Sequence, residues 1–269
     1  MSELFSRNIL YWGKENQKLL ANKHVAVFGL GGVGGFCAEA LARAGVGSLT
    51  IVDFDTVSKS NINRQSVAFY STVGQKKTAL FEKRLKDINP DIHIEVIDDF
   101  YTENFCHSEA LAEESSPKQA NKEILRFAQD DNKLDYVADA IDTMRSKIHL
   151  LKTCYENKIP VISSMGAGNR IDPTQLYIAD LKDVENRNAP FVSNVIYQLK
   201  KLGITEGITF VCSRETPHAE EKITEKEEIM TNSGEKIEFN KIIPSSTPFV
   251  ASCSGIFMAS YIVRKLIEV

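Results

Sequence analysis

Four glycines stand close together in GLGGVG (Gly29, Gly31, Gly32 and Gly34), and acids, amides and cations follow at short range: Asp53, Asp55, Asn61, Arg64, Gln65 and Lys77. Glycines allow a tight turn and let backbone N–H groups approach an anion closely. A helix starting behind such a turn adds a dipole that favours phosphate at that end. Asp53 closes an apolar run, where the hydroxyls of a ribose would arrive. Asn61 and Arg64 fall in a polar loop placed to meet phosphates, and the planar guanidinium fork suits them. Lys77 lies near the start of an expected helix, where a cation opposes the dipole; a bound anion resolves that conflict. Asp142 follows a later apolar run, and two readings stand open for it: a ligand to hydrated Mg²⁺, or the cap of the next helix. Together these residue types suit a nucleotide and chemistry at its phosphates. A nicotinamide-dependent oxidoreductase would also use the glycine turn, but it leaves Asn61, Arg64 and Lys77 without a task.

The elements that position these groups are legible around them. Val25 to Phe28 reads as a buried strand, followed by the glycine turn and a helix with Phe36, Ala40, Leu41 and Ala44 on one face. A second strand, Ser48 to Val52, ends at Asp53 and Asp55. Strand, glycine turn, helix, strand and acid is the order of a nucleotide-binding βαβ unit. TVSKSNINRQS then forms a loop at the carboxyl end of the second strand, the edge where open α/β sheets bind ligands. Further on, the pattern predicts a helix over 78–88, strands over 93–97 and 134–138, a helix over 144–157 and a strand over 160–164. MGAGNRIDPTQ is a second glycine-rich turn with no helix behind it. It reads as backbone making room for a substrate, or for the sheet's change to antiparallel pairing. Strands at 176–178 and 207–212 flank a lysine-bearing helix over 188–203, and 215–241 reads as a charged, mobile-looking excursion.

Residues 4–20 form a polar arm with helical spacing; taken alone, Arg7 within it is a surface charge. Residues 107–133 are highly charged with little periodicity, and they read as a surface insertion without identifiable chemistry. The predicted class is α/β: a Rossmann-like doubly wound, mainly parallel sheet with an antiparallel C-terminal extension, in a single domain over 1–269.

Composition narrows the partners. The net charge of −4 excludes a chain that is basic throughout, so a nucleic-acid partner must use a local patch. Lys182, Arg187, Lys200, Lys201 and Arg214 are candidates for one, and they read equally well as a solvated face. The first 22 residues are polar, without a signal-peptide pattern, and the apolar stretch over 249–263 is too short to span a bilayer. The five cysteines, at 37, 106, 154, 212 and 253, include no CxxC pair; this suits a reducing cytoplasm and disfavours a four-cysteine zinc site.

With GLGGVG, VDFD, NINRQ, VGQKK and AIDT in this order, the chain resembles the ATP-pyrophosphatase domain of the ubiquitin-activating-type superfamily, which includes adenylyltransferases of molybdopterin and thiamine synthesis. NKIPVISSMGAGNRIDPTQLYIADL resembles its tRNA threonylcarbamoyladenosine dehydratase branch, often described as HesA/MoeB/ThiF-like. The likeness covers most of the chain apart from 107–133. It implies ATP and Mg²⁺ as cofactors, with Gly29, Gly31, Gly32 and Gly34 as the phosphate turn and Asp53 on the ribose, Asp55 close by. Asn61, Arg64, Gln65 and Lys77 would bind the nucleotide, and Asp142 the metal. Arg7 would reach across a homodimer interface into the partner's ATP site, so that Arg7, Arg64, Lys77 and Asp142 carry the catalysis. The implied reaction is ATP-dependent cyclisation of threonylcarbamoyladenosine on tRNA through an acyl-adenylate, in the cytoplasm. The alternative is adenylation of the C-terminus of a ubiquitin-like sulfur carrier. The resemblance also leaves room for a cysteine desulfurase or a sulfur carrier as a docking partner.

Overall fold

Short apolar runs that read as continuous rather than alternating are the mark of parallel strands covered on both faces, and they assemble here around one sheet. The computed structural model describes residues 3–101, 134–185, 189–221, 223–230 and 236–268; the predicted 107–133 insertion lies outside them. Strands β1 (His24–Phe28), β2 (Ser48–Val52), β3 (His93–Ile97), β4 (Tyr136–Asp139), β5 (Val161–Ser164), β6 (Leu176–Asp180) and β7 (Thr209–Ser213) form a seven-stranded sheet in the order β3-β2-β1-β4-β5-β7-β6. All neighbours are parallel except β6, which pairs antiparallel with β7. The predicted class and its antiparallel C-terminal extension are both present.

Alternate residues of β1 feed two cores. Val25 and Val27 join a cluster with α2 (Gly34–Ala44), α3 (Lys77–Ile88) and the last helix, while Ala26 and Phe28 join one with α4 (Met144–Glu156) and α5 (Pro190–Lys201). β1 has β2 on one side and β4 on the other, so the winding reverses between β1 and β4 and a crevice opens beyond their carboxyl ends.

The face of α2 differs from the expected one. Cys37, Ala38, Leu41 and Ala42 are buried, and Phe36, Ala40 and Ala44 are only partly covered. The reason is a second neighbour: α6 (Pro248–Leu266) lies across α2 at Gly255, where an added Cβ would overlap the Val33 carbonyl oxygen. Small residues mark that close crossing, and side-chain size along α2 does not reveal it. The apolar stretch is also longer than expected. α6 runs 19 residues and is, among the described residues, the one helix long and apolar enough to cross a membrane, although Val250, Met258 and Ile262 are buried in the core.

Two local outcomes complete the fold. The N-terminal arm is helix α1 (Ser6–Leu20), kinked at Gly13 where φ is +84°. The charged 215–241 region is no shapeless excursion: β8 (Ile223–Met230) pairs antiparallel with β9 (Lys236–Ile243) along eight residue pairs. A ladder of backbone hydrogen bonds defines that hairpin, and charge content conceals it in the sequence.

Candidate active site

A cleft of about 290 Å³ opens at the carboxyl edge of β1, β2 and β4. Gly29, Gly31, Gly32, Asp53, Asp55, Asn61, Arg64, Gln65, Lys77 and Asp142 all line it. Gly34 and Arg7 do not. Gly34 acts one layer below, since a Cβ there would overlap the Gly29 carbonyl oxygen, and Arg7 is exposed on α1. Gly29 itself has φ of +83°, and a Cβ would stand 2.9 Å from the Ala140 carbonyl oxygen. The turn is therefore glycine-rich because it is wedged between its own helix and the end of β4.

Asp53 braces that turn. Its Oδ2 accepts the Leu30 N–H at 2.6 Å and its Oδ1 accepts the Asp55 N–H at 2.8 Å. Burial raises its carboxyl pKa, opposed by Lys77 and by those two N–H donors. Asp55 is more open: its side chain is 46% exposed, and its Oδ2 lies 2.8 Å from Lys77 Nζ, whose side chain is only 5% exposed. Lys77 is the first residue of α3, and its own N–H donates to the Asp55 carbonyl oxygen at 3.1 Å. A cation is thus held at a helix N-terminus by one half-open carboxylate, and a phosphate would relieve both the dipole and the charge.

The loop after β2 is folded by Asn61. Its Oδ1 accepts the Ser58 N–H at 3.0 Å, and its carbonyl oxygen accepts the N–H groups of Arg64 and Gln65. Arg64 is half-buried, with Nη1 donating to the Ser60 carbonyl oxygen at 2.8 Å and to Asn63 Oδ1 at 3.0 Å. Burial pulls its pKa down, and the nearby Asp142 carboxylate opposes this. Gln65 Oε1 is buried without a hydrogen-bond partner among the described residues, leaving an unused acceptor in the cleft wall.

Of the two readings open for Asp142, the capping one is not realised. Thr143 occupies the cap position of α4, with no side-chain cap hydrogen bond. Asp142 is exposed and faces the cleft from a loop whose backbone is tied down just before it. Ala140 N–H donates to the Phe28 carbonyl oxygen at 2.8 Å, and Ile141 N–H to Asp139 Oδ1 at 3.0 Å. One carboxylate facing the cleft fits Mg²⁺ if the cleft takes a phosphate, since that ion commonly takes one or two carboxylates and completes its shell with phosphate oxygens and water. Among the described residues no group of three His, Cys, Asp or Glu could hold a metal by itself.

Sequence reasoning missed the far end of the cleft. Phe54 and Phe100 meet edge to face with ring centres 4.7 Å apart, and Asp99 Oδ2 is buried without a partner among the described residues. The signal was present in Asp98-Asp99, which ends a third strand at the same sheet edge. Arg170 was also missed. It is 5% exposed, and its Nη1 donates to the carbonyl oxygens of Gly166 and Gly168 while Nε reaches that of Glu215 at 3.3 Å. The basic candidates are less free than expected: Lys182 pairs with Glu206 and Arg214 with Glu185, and Arg187 lies outside the described residues. Cys212 is 2% exposed, burial pushes its thiol up to about 12, and it does not line the cleft.

The comparisons with known proteins agree with this geometry. The model of the ThiF family matches residues 5–263. The tRNA threonylcarbamoyladenosine dehydratase of Bacillus subtilis (strain 168) is 41% identical over 268 residues, covering 100% of this chain and 96% of that protein. The protein of the same name from Haemophilus influenzae is 39% identical over 183 residues, covering 68% of this chain and 61% of its own length. Among solved structures, the E. coli tRNA N6-threonylcarbamoyladenosine dehydratase in complex with ATP superposes with a TM-score of 0.78 at 27% identity, over 99% of this chain and 94% of that one.

Proposed function

We propose, from the premise that this chain belongs to the ThiF family, that it is an ATP-dependent tRNA threonylcarbamoyladenosine dehydratase. The observation that carries this reading is the convergence of the glycine turn, Arg64, Lys77 and Asp142 on one cleft, in a chain similar over its whole length to a dehydratase.

The carboxylate of the threonylcarbamoyl group attacks the α-phosphorus of ATP, and pyrophosphate leaves. The acyl-adenylate replaces an oxide leaving group with AMP. A nitrogen of the same side chain then attacks the activated carbonyl, AMP departs, and the ring closes with net loss of water from the nucleoside. The protein's part is positioning and charge neutralisation. The turn from Gly29 to Gly34 and the N-terminus of α2 cradle phosphate, and Arg64 and Lys77 neutralise the triphosphate beside Asn61 and Gln65. Asp53 takes the ribose hydroxyls, with Asp55 close by and paired to Lys77. Asp142 would hold Mg²⁺, which would supply Lewis-acid charge stabilisation at the phosphates.

The same reading makes the chain one ATP-binding unit acting in the cytoplasm as a symmetric homodimer. In it, Arg7 is exposed on α1 and completes the cleft of the opposite copy. The test is AMP release from ATP and Mg²⁺ with tRNA that carries threonylcarbamoyladenosine, against the same tRNA without it. AMP with the modified tRNA alone, and loss of one water mass from its nucleoside, is the expected result. Silence with both sinks the reading and favours adenylation of a sulfur-carrier C-terminus.

A further inference from the structure

A second cavity of about 340 Å³ adjoins the nucleotide cleft. The two share Ala140, Ile141, Asp142, Ala167, Gly168 and Pro244, so a group seated in the second can present an atom to the first. Its other walls are mostly flat and apolar: the Phe191 ring with Pro190 and Pro217. The ring lies against Gly166, where an added Cβ would stand 3.4 Å from Phe191 Cδ1 and where φ is +73°.

The cavity is built rather than incidental. Buried Arg170 gathers the carbonyl oxygens of Gly166, Gly168 and Glu215, which fixes the 166–170 turn from beneath. Asn169 stitches that turn to the chain before α6, exchanging backbone and side-chain hydrogen bonds with Ser245 at 2.7–2.9 Å, and its carbonyl oxygen accepts the His218 N–H at 2.8 Å. Thr247 Oγ1 donates to the Arg170 carbonyl oxygen at 3.2 Å. Walls drawn from three parts of the chain are thereby pre-organised, which lowers the ordering cost of binding.

We infer that this cavity is the acceptor pocket: it receives the modified purine, splayed out of the RNA strand, with its face stacked on Phe191 and its threonylcarbamoyl group directed past Gly168 into the nucleotide cleft. This rests on the dehydratase reading. An aromatic ring flanked by prolines offers a flat apolar slot for a base, and single-stranded bases are commonly read by stacking on such rings. An enzyme acting on a base also needs that base out of its stack. The volume is within the range of pockets that bury a small organic ligand.

The test is steady-state AMP release with tRNA carrying threonylcarbamoyladenosine, and ATP affinity by titration, on wild type, Phe191→Ala and Phe191→Tyr. Loss of one base–aromatic stack predicts a KM for the modified tRNA raised about tenfold or more in Phe191→Ala, with ATP affinity unchanged and Phe191→Tyr close to wild type. An unchanged KM in Phe191→Ala overturns the pocket while leaving the activity intact. So does a Phe191→Tyr variant as damaged as Phe191→Ala, or a parallel loss of ATP affinity, because either marks a packing role. Wild-type silence with the modified tRNA removes the activity reading and the pocket with it.

Discussion

Lys147 Nζ lies 2.6 Å from Asp139 Oδ2, and neither side chain is reached by solvent. Ser163 completes the cluster, its Oγ donating to the same carboxylate oxygen at 2.6 Å and accepting from Lys147 Nζ at 2.9 Å. The other oxygen, Asp139 Oδ1, accepts the Ile141 N–H and so holds the backbone just before Asp142. A buried charge cluster thus underpins the loop that presents the cleft's exposed acid. Removing Lys147 leaves the Asp139 carboxyl in the interior without its counter-charge. Lys147→Met is therefore expected to lower stability by about 3–5 kcal/mol, read from urea unfolding. A loss below about 1 kcal/mol, the range of an exposed pair, would contradict the buried pairing.

Arg64 hangs on a loop held by Asn61, and among the described residues its guanidinium bonds to loop atoms near its own position. Arg64→Ala should leave the thermal unfolding midpoint nearly unchanged while cutting AMP formation by about 10²–10³-fold, the scale of losing one charge-stabilising donor. Near-wild-type turnover would remove Arg64 from the phosphate site.

Lys77 is buried like Lys147 but sits where it harms its own helix, at the N-terminus of α3. Lys77→Met relieves that conflict and leaves Asp55 half in solvent, but it also removes the cation that offsets the burial of Asp53, so a modest loss of stability is expected. AMP formation should fall by about 10²-fold or more. A variant that unfolds, yet keeps its turnover when folded, would make Lys77 a structural residue.

Cys212 lies one residue before the end of β7, but its thiol is raised to about 12 by burial, with Tyr177 and Arg170 acting in the lowering direction. At any pH below that value the protonated form dominates, so the thiolate nucleophile is scarce from pH 6 to 9. Cys212→Ala should retain AMP formation, and iodoacetamide should leave Cys212 unlabelled in the native protein at pH 8. Labelling at a rate comparable to an exposed thiol would overturn the assignment.

Gly34 lies beneath the phosphate turn, with no room for a methyl group beside the Gly29 carbonyl oxygen. Gly34→Ala should cost roughly 1–3 kcal/mol through overpacking, and ATP affinity should fall as the turn shifts. A variant with wild-type stability would show that the turn can yield.

Much of the site was legible because its residues are short-range. The glycine turn, Asp53, Asn61, Arg64 and Lys77 all belong to one βαβ stretch and the loop behind it, where apolar period and turn chemistry are local properties. The positions that escaped notice depend on distant segments. Arg170 looks like an ordinary loop arginine until Gly166, Gly168 and Glu215 close around it. Lys147 reads as a surface charge of a helix until Asp139 and Ser163 from two strands seal it in.

The amino-acid sequence by itself determined the order of the strands and helices of the main sheet, its ligand edge and most of the groups around the cleft, because backbone periodicity and glycine tolerance act over a few residues. Only the tertiary structure decided which face of α2 is buried, that Asp142 is left open to the cleft, and that a second cavity shares its wall. Those outcomes depend on crossings such as Gly255 over α2 and on Asn169 meeting Ser245, contacts between segments far apart in the chain. No local pattern encodes a distance between such segments; packing does.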